Sequence, residues 1–327
     1  MKKLNIGVIG LGAIGQKHCE ALVRVERAEI CALADVDEPV LSSSVKKFNG
    51  KAYTSYEDLL HHPGLDAVVV ATPDELHTGP CLVAANAGKH ILVEKPIATT
   101  IEDANAIIQA AEKAKVKLMV GFSLRFNLHY LQAKKMIDEG KLGEIISVFD
   151  RRLNVITQAD RINGRCGVLH FLGIHEFDML RWILGCEPVS IYTEESTSVP
   201  KKYPQDNESF SIIHFENGIR ACAHIGWNLP LQHLGGRDFK LDIMGTKGSL
   251  YLDQMRQGIE LYSEALSKYP SVNSGLYFED RAFVDCVLDD LPSPATGKDG
   301  LAALQMVLGA IESIETGKPV KLDTKSP

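Results

Sequence analysis

The residues of this chain whose types and spacing suit chemistry fall in a few short stretches. In GVIGLGAIGQKH, Gly10, Gly12 and Gly15 give a G-x-G-x-x-G spacing directly after an apolar run and at the start of a helical pattern. In that setting the first glycine permits a tight turn, the second lets main chain approach a pyrophosphate, and the third allows close helix–strand packing. Amides at such a helix start face the phosphates. The next apolar run ends in Asp35, near the usual spacing for an acid that accepts ribose hydroxyls. A carboxylate there repels a 2′-phosphate, so NAD is expected as the cofactor and NADP is disfavoured. A glycine-rich turn alone also occurs without a ligand, and an acid alone often caps a helix. The two in this order point to a dinucleotide.

A second stretch, HILVEKPIATT, ends an apolar strand in Glu94 and Lys95 ahead of Pro96. Charges at the end of such a strand lose hydration and need a reason to be there. One reason is mutual pairing. Another is that the C-terminal strand edge of a parallel sheet is where ligands sit, and Lys95 falls at that edge with Thr72 and Pro73. Pro96 fixes the direction of the chain and would hold Lys95 in place.

These positions imply the elements that carry them. Leu4–Ile9, Ile30–Ala34, Ala67–Ala71, His90–Val93 and Lys117–Gly121 read as strands alternating with helical patterns, the signature of a parallel sheet. Thr99 and Glu102 predict a capping box for the helix after Pro96. From about Phe122 the rhythm changes. Leu128–Glu139 and Leu169–Leu184 read as helices, and Ser209–Phe215, Asn217-Gly218 and Ile219–Trp227 as a hairpin. Phe239, Leu241 and Ile243 alternate with Lys240 and Asp242, a strand with one wet face, and helices are expected near Phe278–Leu288 and Gly300–Ile314. The expected fold class is α/β: a Rossmann dinucleotide-binding domain over residues 1–121, then an α+β domain over 122–327 on a mostly antiparallel sheet. The second domain is expected to supply the substrate wall and a homo-oligomer interface, dimer or tetramer.

Composition narrows the function. The 327 residues carry a net charge of -7 with 45% hydrophobic and 24% charged residues, an ordinary globular balance that argues against nucleic-acid binding. No apolar run is long enough to span a bilayer, so no membrane partner is expected. The seven cysteines are scattered without a CxxC pair, which suggests a reducing cytoplasm rather than a disulfide or zinc framework. Cys166, His170 and His175 do not have the spacing of a zinc helix, and no metal is expected.

Taken together, VVVATPDELHTGPCLVAANAGKHILVEKP, GFSLRFN at Gly121–Asn127 and GIHEFD at Gly173–Asp178 resemble the signatures of the Gfo/Idh/MocA family of sugar and polyol oxidoreductases. With the glycine loop, the resemblance spans residues 5–178. It implies that Gly10, Gly12, Ala13, Ile14, Gly15, Asp35, Thr72, Pro73, His77, Glu94 and Lys95 contact the cofactor. It also implies that Lys95 reaches substrate near the reacting carbon and that His175, from the second domain, is the acid–base group. Oxidising an alcohol sends hydride to the nicotinamide and needs a base for the hydroxyl proton, which histidine supplies near neutral pH. On sequence alone a lone histidine among Leu172, Leu180 and Trp182 is more often a satisfied core or cleft residue. The family places an aspartate four residues before this histidine, where this chain has Phe171. Asp178, three residues after it, shares the helical face and is a candidate substitute, although a structural acid reads about as well.

The segment DRRLNVITQADRINGRCG, Asp150–Gly167, holds Arg151, Arg152, Arg161 and Arg165 in an otherwise acidic protein. A solvated or interface loop explains it simply. Arginine forks also bind carboxylate or phosphate in two-point geometry, so Arg152 and Arg165, with Arg125 and Asp178, are expected at the substrate, which would then carry an anionic group. The resulting expectation is an NAD-dependent dehydrogenase acting on a secondary hydroxyl of a sugar, polyol or derivative. A catalytically reduced dinucleotide sensor of the same fold is the alternative that Phe171 keeps open.

Overall fold

A computed structural model describes residues 2–157, 160, 164–196, 207–233, 236–253, 258–262, 266–269 and 275–324. The chain forms two compact units, Met1–Phe126 with Ser274–Leu304, and Asn127–Asn273 with Gln305–Pro327. The units are therefore discontinuous, where the sequence reading drew one cut after residue 121. The helix over Gly275–Leu288 explains the difference: it returns to the first unit and packs on the helix that follows the glycine turn.

In the first unit, β1 (Leu4–Ile9), β2 (Ala28–Ala34), β3 (Lys51–Tyr53), β4 (Ala67–Val70), β5 (His90–Glu94) and β6 (Leu118–Gly121) form one sheet in the order β3-β2-β1-β4-β5-β6. All its ladders are parallel. Val68, Val69, Val70, Ile91, Leu92 and Val93 are all 0% exposed, because helices cover both faces of a parallel sheet. The connecting helices are α1 (Ala13–Leu22), α2 (Glu38–Phe48), α3 (Tyr56–Leu60), α4 (Thr78–Asn86) and α5 (Ile101–Ala114). The strand order reverses direction between β1 and β4, and the ends of the neighbouring strands frame the crevice that such folds use for ligands. The cap of α5 lies one residue later than expected. Thr100, in extended conformation, accepts from the Asp103 amide at 3.1 Å, in place of Thr99 with Glu102.

The second unit holds α6 (Leu128–Asp138), a π turn over Leu169–Gly173, α7 (Ile174–Leu184) and a nine-stranded sheet. Its strands are β7 (Ile145–Val155), β8 (Pro188–Glu195), β9 (Glu208–Phe215), β10 (Arg220–Leu229), β11 (Arg237–Gly245), β12 (Ser249–Asp253), β13 (Gly258–Tyr262), β14 (Leu266–Tyr269) and β15 (Val320–Lys321). The sheet is mixed: β7 and β10 pair in parallel, and the remaining ladders are antiparallel. Hairpin reasoning reads only neighbours in sequence, and β7 meets β10 across a long connection. The expected hairpin joins β9 and β10, with Gly218 at φ +90°. Two further helices, α8 (Gly275–Leu288) and α9 (Gly297–Thr316), precede β15.

Candidate active site

The β1–α1 turn is shaped for close approach. Gly10 has φ +87°, and a Cβ there would lie 2.6 Å from the Ala71 carbonyl oxygen. A Cβ on Gly15 would lie 1.9 Å from the Gly10 carbonyl oxygen, so only glycine lets α1 seat against the turn. Gly12 differs: nothing stands within 4 Å of the position its Cβ would take. Gly12 and Ala13 are exposed, Ile14 is half-buried, and neither a side-chain cap nor an acid occupies the first turn of α1. That leaves a positive helix start beside open space, which suits an anion. Asp35 closes the turn from the end of β2. Its Oδ2 accepts from the Leu11 amide at 2.6 Å and its Oδ1 from the Asp37 amide at 2.9 Å. A carboxylate has about four acceptor sites, so these two bonds orient Asp35 and leave capacity for hydroxyls.

At the neighbouring strand ends, the buried Thr72 Oγ1 has no hydrogen-bond partner among the described residues, and Pro73 is exposed. An open cradle at Gly12, an acceptor at Asp35 and an unanswered hydroxyl at Thr72 together fit a dinucleotide. His77 is only 1% exposed and lies between the Pro96 and Thr72 carbonyl oxygens, at 2.8 and 3.0 Å. It ties the ends of β4 and β5 together beside the strand edge where the cofactor is expected.

Glu94 is also engaged within the protein. It is 7% exposed, its Oε1 lies 3.1 Å from His18 Nε2, and its Oε2 accepts from the Lys95 amide at 3.0 Å. Burial would raise its pKa, but His18 and Lys95 outweigh burial and hold it below the usual carboxylate range. Lys95 is half-buried at the end of β5, on the sheet edge that carries the glycine turn. Behind it, His18 Nδ1 lies 2.7 Å from Asp280 Oδ1. His18, Glu279 and Asp280 each offer a ligand-type atom within 4.8 Å of the others. Both imidazole nitrogens already face carboxylate oxygens, so the ring has no lone pair to give a cation. Arg125, expected at the substrate, is 5% exposed and bonded within this unit to the Pro294 carbonyl at 3.0 Å and to Asp299 at 3.2 Å.

In the second unit, His175 is half-buried near the start of α7, immediately after the π turn, and Asp178 is 1% exposed. Phe171 lies inside that turn and packs on Trp227 with ring centroids 5.9 Å apart. A π turn is wider than an α turn and recurs at functional sites. The α-helical register that would align position 171 with His175 is therefore interrupted. Arg152 is partly engaged within the protein, with its buried Nε left without a partner among the described residues. Its Nη1 lies 2.6 Å from Glu176 Oε1, and its guanidinium stacks 4.3 Å from the Phe239 ring centroid. Glu176 also faces Asp150, and burial with that neighbouring charge pushes the Asp150 carboxyl well above the usual range. Arg151 pairs with Asp238 at 3.1 Å, Arg165 is exposed, and Arg161 lies outside the described residues.

Sequence reasoning missed His18, Glu176, Glu279 and Asp280. His18 had a signal: it falls three residues after Gly15, on the same face of α1. Asp280 had none, since it stands 262 positions from its partner.

A parallel sheet with an open glycine turn at β1–α1 and an acid just after β2 defines a dinucleotide-binding fold. Residues 4–122 match the oxidoreductase family with an NAD-binding Rossmann fold, and residues 130–251 match the GFO/IDH/MocA C-terminal domain. The chain belongs to the Gfo/Idh/MocA family of oxidoreductases. It is 27% identical to the myo-inositol 2-dehydrogenase of Thermotoga maritima, over 98% of this chain and 99% of that protein. It is likewise 27% identical to the NAD(+) scyllo-inositol 2-dehydrogenase of Bacillus subtilis, over 99% and 97%. Among solved structures, it resembles the scyllo-inositol dehydrogenase of Lactobacillus casei with bound NAD(H) and scyllo-inositol. The TM-score is 0.86 at 25% identity, covering 99% of this chain and 100% of that one.

Proposed function

We propose that this oxidoreductase is an NAD-dependent dehydrogenase that oxidises one secondary hydroxyl of an uncharged cyclic polyol of the inositol kind. One observation carries the reading. Lys95 directly follows β5 on the sheet edge that bears the open glycine turn, in a chain whose near-full-length relatives include inositol dehydrogenases. NAD, when bound, supplies the acceptor for the hydride leaving the carbinol carbon. Lys95 donates from Nζ to the substrate oxygen and fixes the reacting carbon in place. His175 receives the hydroxyl proton. Its Nδ1 is buried, which leaves Nε2 as the nitrogen that exchanges the proton. Gly12, Ala13 and Ile14 present main chain to the pyrophosphate, and Asp35 accepts from the adenosine ribose.

The substrate is read as uncharged because Glu176 already answers Arg152 and Asp299 answers Arg125. Equal or greater turnover of a uronate or sugar phosphate would return Arg165 to the substrate. A reducing cytoplasm fits the free cysteines. No helix among the described residues is long and apolar enough to cross a membrane.

The test is NADH formation, followed at the nicotinamide absorbance, with myo- and scyllo-inositol and their charged analogues. Lys95→Ala should lower turnover by roughly 10²- to 10⁴-fold while NADH affinity stays within about threefold. Unchanged turnover would remove Lys95 from the reaction. Phe171 favours one second reading, a dinucleotide-dependent sensor, because it cannot stabilise the imidazolium as an aspartate would. Tight NADH binding with no turnover of any polyol would establish that alternative.

A further inference from the structure

The first unit contains a buried charged chain that the proposed reaction does not itself consume. His18, on α1, and Asp280, on α8, are both 0% exposed and 2.7 Å apart through Nδ1 and Oδ1. The other imidazole nitrogen meets Glu94 at 3.1 Å, and the far oxygen of Glu94 holds the Lys95 amide at 3.0 Å. Room for this arrangement comes from β6. Gly121 pairs with Glu94 across the ladder, and a Cβ on Gly121 would lie 3.3 Å from the Glu94 carboxyl carbon. A side chain there would press on Glu94, which would have to shift slightly to make room.

A carboxylate this deeply buried needs its donors. Among the described residues Glu94 has two, the His18 ring and the Lys95 amide, and the buried Asp280 carboxyl stands close enough to disfavour a second charge. Without His18 the carboxylate would take up a proton or swing away, and the Lys95 main chain would lose its anchor. Burial alone would lower the His18 pKa. Asp280 and Glu94 overcome burial and hold it well above the ordinary histidine value, so the ring stays a double donor at neutral pH.

We propose that His18, clamped by Asp280, is a positioning residue that fixes the Glu94 carboxylate and through it the main chain that aims Lys95 at the substrate. The inference rests on the assignment of Lys95 to the reaction. It concerns geometry at β5 rather than contact with substrate, so its signature is a loss in kcat with cofactor binding preserved.

The experiment compares full-length His18→Gln, Asp280→Asn, Glu94→Gln and the His18→Gln/Glu94→Gln pair with the wild type, using myo- or scyllo-inositol and NAD. His18→Gln should lower kcat about 10- to 100-fold, with KM and NADH affinity each within about threefold. Adding His18→Gln to Glu94→Gln should cost no more than about twofold further, because the two act through one link. Hydrogen exchange at the Lys95 amide should quicken about tenfold or more in His18→Gln and Asp280→Asn, a readout independent of turnover. If His18→Gln does not fold, the isosteric Asp280→Asn carries the same comparison. Folded variants with wild-type kcat and unchanged Lys95 exchange would overturn the proposal, as would losses that multiply independently in the pair. Wild-type turnover in Lys95→Ala would instead overturn the assignment of Lys95 and with it the catalytic reach of His18. The exchange rate would still report whether His18 holds that main chain.

Discussion

Asp35 serves the fold directly, and in the proposed function it also sets cofactor preference. Its two oxygens hold the Leu11 and Asp37 amides, which fixes the carboxylate where the adenosine ribose would lie. A 2′-phosphate brought there meets a like charge that cannot rotate away. Asp35→Ser should therefore narrow the preference for NADH over NADPH by roughly 10-fold or more, measured by calorimetric titration of both. Tighter binding of NADPH than NADH to the wild type would overturn the assignment. Glu279 carries a prediction of another kind. Neither of its oxygens has a donor among the described residues, and burial, with Glu94 close by, raises its pKa well above 4.5. Below the unfolded pKa both states keep the proton and nothing is gained or lost. Above it the unfolded chain releases the proton while the folded chain retains it, so stability falls as pH rises toward the folded pKa. His18 adds a slope of the same sign, since its raised pKa gives stability that is present below 6.5 and lost as pH passes the folded value. Glu279→Met should raise stability at pH 8 by about 1–3 kcal/mol, and by less at pH 4, in thermal or denaturant unfolding. A variant less stable than wild type at pH 8 would mean that the carboxyl has an ionised role.

The glycine turn shows why an element, rather than a residue, is the unit that sequence reveals. Gly12 and Gly15 are the same amino acid three positions apart, yet the turn uses them in opposite ways. Gly15→Ala drives a methyl into the Gly10 carbonyl, at 1.9 Å, and should unseat α1. Gly12→Ala adds a methyl to open space and should leave the melting temperature nearly unchanged while weakening NADH binding about tenfold or more. Binding titrations and thermal melts on both variants separate the two effects. Equal loss of stability in both would show that Gly12 is structural. The same contrast explains what could be read in advance. Strands β1, β2, β4, β5 and β6 were legible because burial on both faces leaves apolar runs. Strand β3 was not, being three residues with Lys51 and Ala52 exposed at a sheet edge. Helix α8 was visible as a pattern, but periodicity names a buried face and not its partner, so its return to the first unit and the His18–Asp280 bond stayed hidden. Arg152 was legible as a charge, but its ion pair with Glu176 was not, because Glu176 meets it from another element.

At the scale of the whole molecule, the nine-stranded sheet leaves one feature unexplained within a single chain. Val148, Ala223, Ile225, Ile213, Leu241 and Ile243 point inward and are at most 3% exposed. On the other face Phe149 is 45%, Phe210 44% and Ile212 47% exposed. These are register neighbours rather than scattered residues. Phe149 pairs with Cys222, Cys222 with Ile212, and Ile212 with Tyr192, a continuous row across β7, β10, β9 and β8. Phe210 lies in the next row, stacked on His224 at 4.2 Å. A soluble chain seldom shows water so contiguous an apolar row unless a partner covers it, and a two-fold copy of the same face is the simplest cover. The expected state is a dimer, or a tetramer built from such dimers, at micromolar concentration. Ile212→Lys combined with Phe149→Lys puts like charges on both halves of a two-fold contact, and light scattering after size exclusion should then report a smaller assembly. The exposed positions of these substitutions should spare the monomer's core, so circular dichroism should be unchanged. A wild type that is monomeric in the same measurement, or a charged variant that keeps the wild-type mass, would place the oligomer contact elsewhere or remove it.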